Sequence, residues 1–249
     1  MLKEERHSFI LEELRLKKKV LTYELSEALE VSEDTIRRDL KELAEINQIK
    51  KVHGGAVSHS LNPYDYKDRQ IFAQDEKIQI AEKARHLIKP HQVVIMDGGT
   101  TNLELAKRLP RELEATIFTN SLPIAVELSD HPKVETIFLG GKLLKKAQVT
   151  VGEEVTQMLD GLRADLSFLG TRSLDHEKGI TEIDREETRI KRAIIAASQA
   201  MVSLVIAEKL GTEQPYKIGE TSQISTLVTS LDPQDKRLAP FRSLGIEVL

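Results

Sequence analysis

The chain has no cysteine and no tryptophan. Without cysteine, disulfides and thiolate-bound metals are excluded. The seven histidines are scattered, with no pair at helical ligand spacing, so no metal and no cofactor is expected. Aromatic residues make up only 4% of the 249 residues, which argues against stacking platforms for single-stranded nucleic acid. No apolar run approaches the ~18 residues of a membrane helix. The N-terminus is charged and amphipathic, unlike a signal peptide. A cytoplasmic protein with no membrane partner is expected. An excess of positive charge is also missing: 36 Lys and Arg stand against 40 Asp and Glu, a formal net charge of −4. Purely electrostatic nucleic-acid binders are normally basic, so bulk attraction to DNA is disfavoured.

The cations that are present cluster at Arg15 to Lys19, at Arg37, Arg38 and Lys41, and at Lys50 and Lys51. A folded module can gather such groups on one side and turn its acids away. The run RLKKK by itself reads equally well as a solvated turn. The segment VSEDTIRRDL, Val31 to Leu40, is more specific. Ser32 suits a helix N-cap, and Glu33 and Asp34 sit where the helix dipole favours negative charge. Ile36, Leu40 and Leu43 form one apolar stripe. Thr35, Arg37, Arg38 and Lys41 lie off it. Before this helix, LTYELSEALE offers another, with Thr22 as its cap and Leu25, Ala28 and Leu29 facing inward; Phe9, Ile10 and Leu14 mark a third. After it, QIKKVHGGAV reads as a hairpin with a glycine turn at Gly54 and Gly55. Three helices and a small hairpin make a winged helix-turn-helix, whose second motif helix would enter a major groove.

These residues carry a resemblance. Arg6, Ile10, Leu14, Ser32, Thr35, Ile36, Arg37, Arg38, Asp39 and Leu40 are similar, spacing included, to the helix-turn-helix signature of the DeoR family of bacterial transcriptional regulators. KVHGGAV resembles that family's wing. One departure is visible: the family usually has glycine just after the recognition helix, where this chain has Ile46-Asn47. Asn47 can still adopt the left-handed conformation that ends a helix. The expected DNA contacts are Ser32, Thr35, Arg37, Arg38, Lys41, Lys50, Lys51, His53, Gly54 and Gly55.

Residues 1–58 are expected to form this DNA-binding domain. Residues 59–74 are polar and hold Pro63, so they read as a linker, with Tyr64, Tyr66, Ile71 and Phe72 able to dock on a surface. From residue 75 to 249 the pattern alternates. Apolar runs rich in Val, Ile and Phe, such as QVVIM, ATIFT, VETIFL, DLSFLG and MVSLVIA, are separated by helical stretches, the longest being DREETRIKRAIIAASQA. The runs lack strict two-residue alternation, as expected of strands covered on both faces. The fold class is α/β with a mainly parallel sheet, and such sheets bind ligands at the carboxyl ends of their strands.

QVVIM leads into Asp97-Gly98-Gly99-Thr100-Thr101-Asn102 and then a helix. The glycines allow close approach of backbone to a ligand. The loop amides and threonine hydroxyls would suit a phosphate. The bland alternative is a tight turn with a threonine cap. The loop lacks the lysine of a P-loop and is not GxGxxG, so a nucleotide is poorly supported. Other strand ends offer Thr119-Asn120 and Gly140-Gly141-Lys142. Glu187 and Lys191 lie four apart on the long helix; they form either a surface pair or a pair turned into the crevice.

MDGGTTNLELAKRL, FTNSLPIAVEL, FLGGKL, FLGTRSL…GIT and E-T-R-I-K are similar to successive blocks of the DeoR C-terminal sensor domain, which resembles ribose-5-phosphate isomerase in fold. That resemblance implies an effector that is a phosphorylated sugar or related metabolite, bound by Asp97 to Asn102, Thr119, Asn120, Gly140, Gly141, Lys142, Glu187, Lys191 and Lys209. One block departs: many members carry Asp-x-Ser-Lys-Phe-Gly where this chain has IAEKLG, so Lys209 and Gly211 persist without the aspartate and serine.

Two functions compete. One is a transcriptional regulator, a repressor of sugar-metabolism genes that binds a double-stranded operator and answers to a sugar phosphate. The other is a sugar-phosphate isomerase with a DNA module attached. An isomerase needs a carboxylate base and an electrophile. Asp97, Glu104 and Glu187, with Lys142, Lys191 and Lys209, supply candidates, but no spacing fixes a pair. The intact DNA module favours the regulator, not an enzyme. One winged helix reads few base pairs, so a homo-oligomer, dimer or tetramer, is expected.

Overall fold

The computed structural model describes residues 2–17, 19–45, 49–57 and 65–249, and within them all side chains but those of Arg15, Leu16, Lys50 and Val57. The chain divides into two compact units. One comprises Met1–Pro63 with Lys67–Phe72, the other Tyr64–Tyr66 with Ala73–Leu249.

In the first unit, α1 (Lys3–Lys17) is followed by β1 (Lys19–Leu21), α2 (Thr22–Leu29), α3 (Glu33–Glu45), β2 (Lys50–Val52) and β3 (Gly55–Val57). The apolar stripe of α3 is buried as expected, and Ile36, Leu40 and Leu43 join Ile10, Leu14, Val20, Leu25 and Leu29 in one core. Asp39 is buried beside that stripe. It accepts a two-pronged contact from Arg6, from Nε to Oδ2 at 2.7 Å and from a terminal nitrogen to Oδ1 at 3.0 Å, tying α1 to α3. This hydrogen bond raises the Arg6 pKa, with burial opposing it.

Three expectations change here. The basic run contains a strand: β1 pairs antiparallel with β3, so the wing hairpin becomes a three-stranded sheet. Thr22 does not cap α2. Its hydroxyl makes no cap bond, and its N–H donates to Gly54 O at 2.9 Å, so the wing satisfies the helix start. Ala28 is exposed rather than inward-facing. The expected cap at Asn47 and the linker residues Pro63 and Tyr64 lie outside the described residues. Part of the expected linker is helical, as α4 (Tyr66–Ile71).

The second unit opens with α5 (Gln74–Ala84), β4 (Val93–Met96), α6 (Thr100–Ala106), β5 (Ala115–Thr119), α7 (Leu122–Leu128) and β6 (Val134–Phe138). A hairpin follows, β7 (Lys142–Leu144) and β8 (Val149–Val151), then α8 (Glu153–Leu159), β9 (Ala164–Leu169), β10 (Ser173–Asp175), β11 (Gly179–Glu182), α9 (Arg185–Ala196), β12 (Ser198–Leu204), β13 (Tyr216–Gly219), β14 (Thr226–Val228), α10 (Ala239–Ser243) and β15 (Glu247–Val248). The long helix is shorter than expected, because Ser198 to Ala200 already belong to β12. Seven strands form one sheet in the order β15-β14-β12-β9-β4-β5-β6, every pair parallel. Helices α5, α6 and α7 pack as one group, and α8 and α9 as another. From β4 the chain steps outward to β5 and β6, then returns to β9 on the other side of β4. Strand order therefore reverses between β4 and β9. In open α/β sheets the ligand crevice lies at the carboxyl ends of the strands flanking such a reversal.

Candidate functional sites

On the first unit, Ser32 caps α3: its Oγ accepts from Thr35 N–H at 3.2 Å and lies 2.9 Å from Thr35 Oγ1. Arg37 is exposed but engaged, donating to Glu33 Oε2 and Asp34 Oδ1 at 2.7 Å each. Lys41 lies 3.7 Å from Glu45. Arg38 is exposed and has no hydrogen-bond or ion-pair partner among the described residues. Beside α3 a concavity of about 440 Å³ is lined by Tyr23, Glu33, Arg37, Lys51, His53 and Gly54, bringing together the starts of α2 and α3 and the wing. Tyr23 was not anticipated; it is half-exposed, at 52%. Gly54 forms the wing turn at φ 78°. Gly55 is already in β3, where a Cβ would lie 2.1 Å from Val20 O, so it is glycine for strand packing rather than for the turn. The Lys50 side chain lies outside the described residues.

On the second unit, the loops leaving β4 and β9 meet at the reversal. A Cβ on Gly170 would sit 1.8 Å from Gly98 O, so only glycine permits this approach. Gly170 N–H donates to Asp97 Oδ2 at 2.9 Å. Lys191, from α9, is buried beneath them. Its Nζ donates to Glu182 Oε2 at 2.7 Å and to Gly170 O, and lies 3.6 Å from Asp97 and 3.9 Å from Glu187. The open choice for Glu187 and Lys191 is thus resolved inward, although Lys191 meets the protein's own carboxylates. Burial opposes the charge on Lys191, yet Glu182, Asp97 and Glu187 outweigh it and raise the pKa. Burial likewise works against Glu182, but the Lys191 charge and hydrogen bond hold its pKa below the usual range. For Asp97 burial wins and pushes the carboxyl up, against Lys191 and the amides of Gly170 and Gly98.

The remaining expected residues divide by what they touch. Asn102 donates to Asp97 O at 2.8 Å and Phe168 O at 3.0 Å, stapling the ends of β4 and β9. Thr119 donates to Met96 O at 2.6 Å and accepts from Ser121 N–H at 3.1 Å. These side chains hold the scaffold. Gly98 faces Val149, whose Cγ1 would lie 2.1 Å from an added Cβ. Gly141 packs against Val151 O, while Gly140 has open space beside it. Lys142 is at the surface, 3.0 Å from Glu186. Lys209 donates to Thr171 O at 2.7 Å, in the loop after β9. Glu104 binds Gln74, Lys107 and Arg108. Thr100 and Thr101 differ from all of these. Each is more than nine-tenths buried, and neither hydroxyl has a hydrogen-bond partner among the described residues. Gly170, Glu182, Ser121 and the buried Arg172 were missed. A concavity of about 360 Å³ between α8 and α9 is lined by Arg163, which precedes β9, so it lies at the amino end of the sheet, away from these loops.

With this geometry in place, the relatives can be compared. Residues 6–61 match the DeoR-like helix-turn-helix domain, and residues 73–231 match the DeoR C terminal sensor domain. The chain belongs to the DeoR family of DNA-binding transcriptional regulators. It is 32% identical to the HTH-type transcriptional regulator GolR of Listeria innocua over 98% of this chain and 97% of that one. It is 34% identical to the glycerol-3-phosphate regulon repressor of Escherichia coli over 92% and 91%. Ribose 5-phosphate isomerase A of Methanocaldococcus jannaschii superposes with a TM-score of 0.41 at 16% identity, over 55% of this chain and 54% of that one.

Proposed function

We propose that this regulator is a repressor whose α3 and wing bind an operator, and whose second unit releases it on binding a phosphorylated sugar or related small metabolite. The observation that carries the effector reading is that Thr100 and Thr101, at the start of α6 beside the sheet reversal, keep hydroxyls with no hydrogen-bond partner among the described residues. Those hydroxyls and the loop amides would donate to a phosphate set against them. Glu187, held by Lys191 at the edge of the cluster, would accept from sugar hydroxyls. The E. coli relative's name, which refers to glycerol 3-phosphate, supports a phosphorylated effector.

On the first unit, Arg38 is the proposed base or phosphate contact that is ready without rearrangement. Thr35 and Arg37 become available when their contacts within α3 open. Two half-sites read by two copies would supply operator specificity, so the active form is taken to be a homo-oligomer. The isomerase reading has less support, because Asp97 is 1% exposed and already engaged by Gly170 and Lys191.

The test uses the full chain. Ribose 5-phosphate, glucose 6-phosphate and glycerol 3-phosphate are screened by thermal shift, since a ligand of the native state raises stability by RT ln(1 + [L]/Kd). Any hit is then measured by calorimetry on Thr100→Val and Thr101→Val. Loss of a hydrogen bond to a charged group is worth ~1.5–3 kcal/mol, so affinity should fall about 10- to 150-fold. If both variants bind like the parent, the phosphate lies elsewhere.

A further inference from the structure

The β7–β8 hairpin is tied to the carboxyl ends of β5 and β6. Thr150 N–H donates to Asn120 O at 2.8 Å, and Thr150 Oγ1 donates to Asn120 O and Leu139 O. Leu122 N–H donates to Gln148 O at 3.1 Å, and Ser121 bridges to Val149. From this strand Val149 presses on the proposed ligand loop. A Cβ at Gly98 would stand 2.1 Å from Val149 Cγ1, whereas Val149 Cβ would be at 3.5 Å and Ser121 Cβ at 3.9 Å. One γ-methyl is therefore the hard contact between loop and hairpin. Next to it, Asn120 Oδ1 and Ser121 Oγ are buried without partners among the described residues, so this junction is not fully satisfied by them in the present conformation.

The turn of the hairpin meets the start of α4. Gln148 sits at φ 56°, a left-handed conformation uncommon for a side-chain-bearing residue. Two residues earlier, Lys146 O accepts from Tyr66 N–H at 2.8 Å. Tyr66 is 3% exposed and is the first residue of α4. The residues that follow it, Lys67–Phe72, group with the DNA-binding unit. The covalent path between the units is thus pinned to the hairpin that leans on Gly98.

We propose that the β7–β8 hairpin is the lever of regulation: displacement of the Gly98 loop pushes Val149, and the Lys146–Tyr66 hydrogen bond passes that movement into α4. The mechanism rests on the reading that this loop holds the effector. A ligand shifts a conformational equilibrium only through contacts that differ between states. Here the differing contact is Gly98 on Val149, and close packing makes it a step rather than a gradual give.

The experiment needs no effector. A duplex selected from a random pool by the parent full chain serves as operator. Gly98→Ala drives a methyl into the space of Val149 Cγ1 and should change operator affinity at least about fivefold, the low end of allosteric couplings. Adding Val149→Ala leaves ordinary van der Waals separation and should restore affinity to within about twofold of the parent. Tyr66→Pro removes the N–H donor at a first helical position, where proline is tolerated. In that background Gly98→Ala should shift affinity less than about twofold, whereas in Tyr66→Ala, which keeps the N–H, the shift should persist. An unchanged affinity in folded Gly98→Ala, or a shift that survives Tyr66→Pro, overturns the lever. Should Gly98→Ala not melt cooperatively, Val149→Ala alone is followed by amide exchange; exchange at Tyr66 should rise about tenfold, and an unchanged rate overturns the lever. A parent that binds none of the sugar phosphates refutes the effector reading separately, because no arm of this cycle contains ligand.

Discussion

Replacing Lys191 by Met tests the buried charge cluster most directly. The substitution roughly keeps the volume and deletes the cation that Glu182, Asp97 and Glu187 share. Removing one partner of a buried ion pair costs ~3–5 kcal/mol, and with three carboxylates left behind the upper half of that range is expected. For a unit of this size each kcal/mol lowers Tm by ~2–4 °C, so a drop of about 8–20 °C is predicted at pH 8. The pH dependence has a definite sign. In the parent, the raised Lys191 pKa means that its contribution is complete below the unfolded value and is lost only as pH rises through the folded value. The depressed Glu182 pKa gives a contribution present above its unfolded value and lost as pH falls through the folded one. Both are intact from pH 5 to 8. In the variant the buried carboxylates lose their counter-charge, their pKa values rise, and protonation neutralises them as pH falls. The gap in Tm between parent and variant should therefore narrow from pH 8 to pH 5. Scanning calorimetry of both chains at the two pH values is the assay. Equal Tm at pH 8, or a gap that widens at pH 5, would refute the role given to Lys191.

Three further outcomes are expected. Arg38→Ala should weaken operator binding by ~1–3 kcal/mol, and Arg37→Ala by less, because Arg37 must first leave Glu33 and Asp34; gel-shift titrations in which Arg37→Ala is the worse variant would contradict this. Asp39→Ala strands Arg6 against the core and should cost about 3 kcal/mol, since Arg6 keeps some exposure to water, as read by urea unfolding. Gly55→Ala should destabilise the first unit because its Cβ would meet Val20 O at 2.1 Å, and a parent-like melt would show that β1 can yield.

The DNA-binding unit was largely legible because its signals are local. Ser32 as a cap, the Ile36-Leu40-Leu43 stripe and the HGG turn each lie within a few residues of what they specify. What escaped is non-local. Asp39 sits among apolar neighbours at a helical position, and its partner Arg6 is 33 residues away. The three-residue strand Lys19–Leu21 exists because β3 offers it an edge, and a basic run gives no hint of that. Thr22 looked like a cap because threonine often is one, yet the acceptor for its N–H comes from the wing.

In the second unit the alternation of runs and helices was readable, but the order of strands was not, and the order decides which loops meet. Gly170 therefore went unnoticed although FLGTRSL ends a strand as visibly as QVVIM does. Glu182 was hidden inside a short strand, in an antiparallel ribbon that no periodicity announced. The residues expected at the ligand mostly bind the protein instead, and the reason is physical. Strand ends concentrate buried carbonyls and amides, and nearly all of these must find partners. Asn102 and Thr119 are recruited for that duty, and Lys191 for the carboxylates. Polar residue types at a strand end thus reveal where a crevice is, without separating those that line it from those that build it. The separation comes from hydrogen-bond inventory: Asn102 and Thr119 are spent on Asp97 O, Phe168 O and Met96 O, whereas the hydroxyls of Thr100 and Thr101 have no partner among the described residues. A hydroxyl left unspent beside side chains so engaged is the one free to meet a partner that arrives from outside.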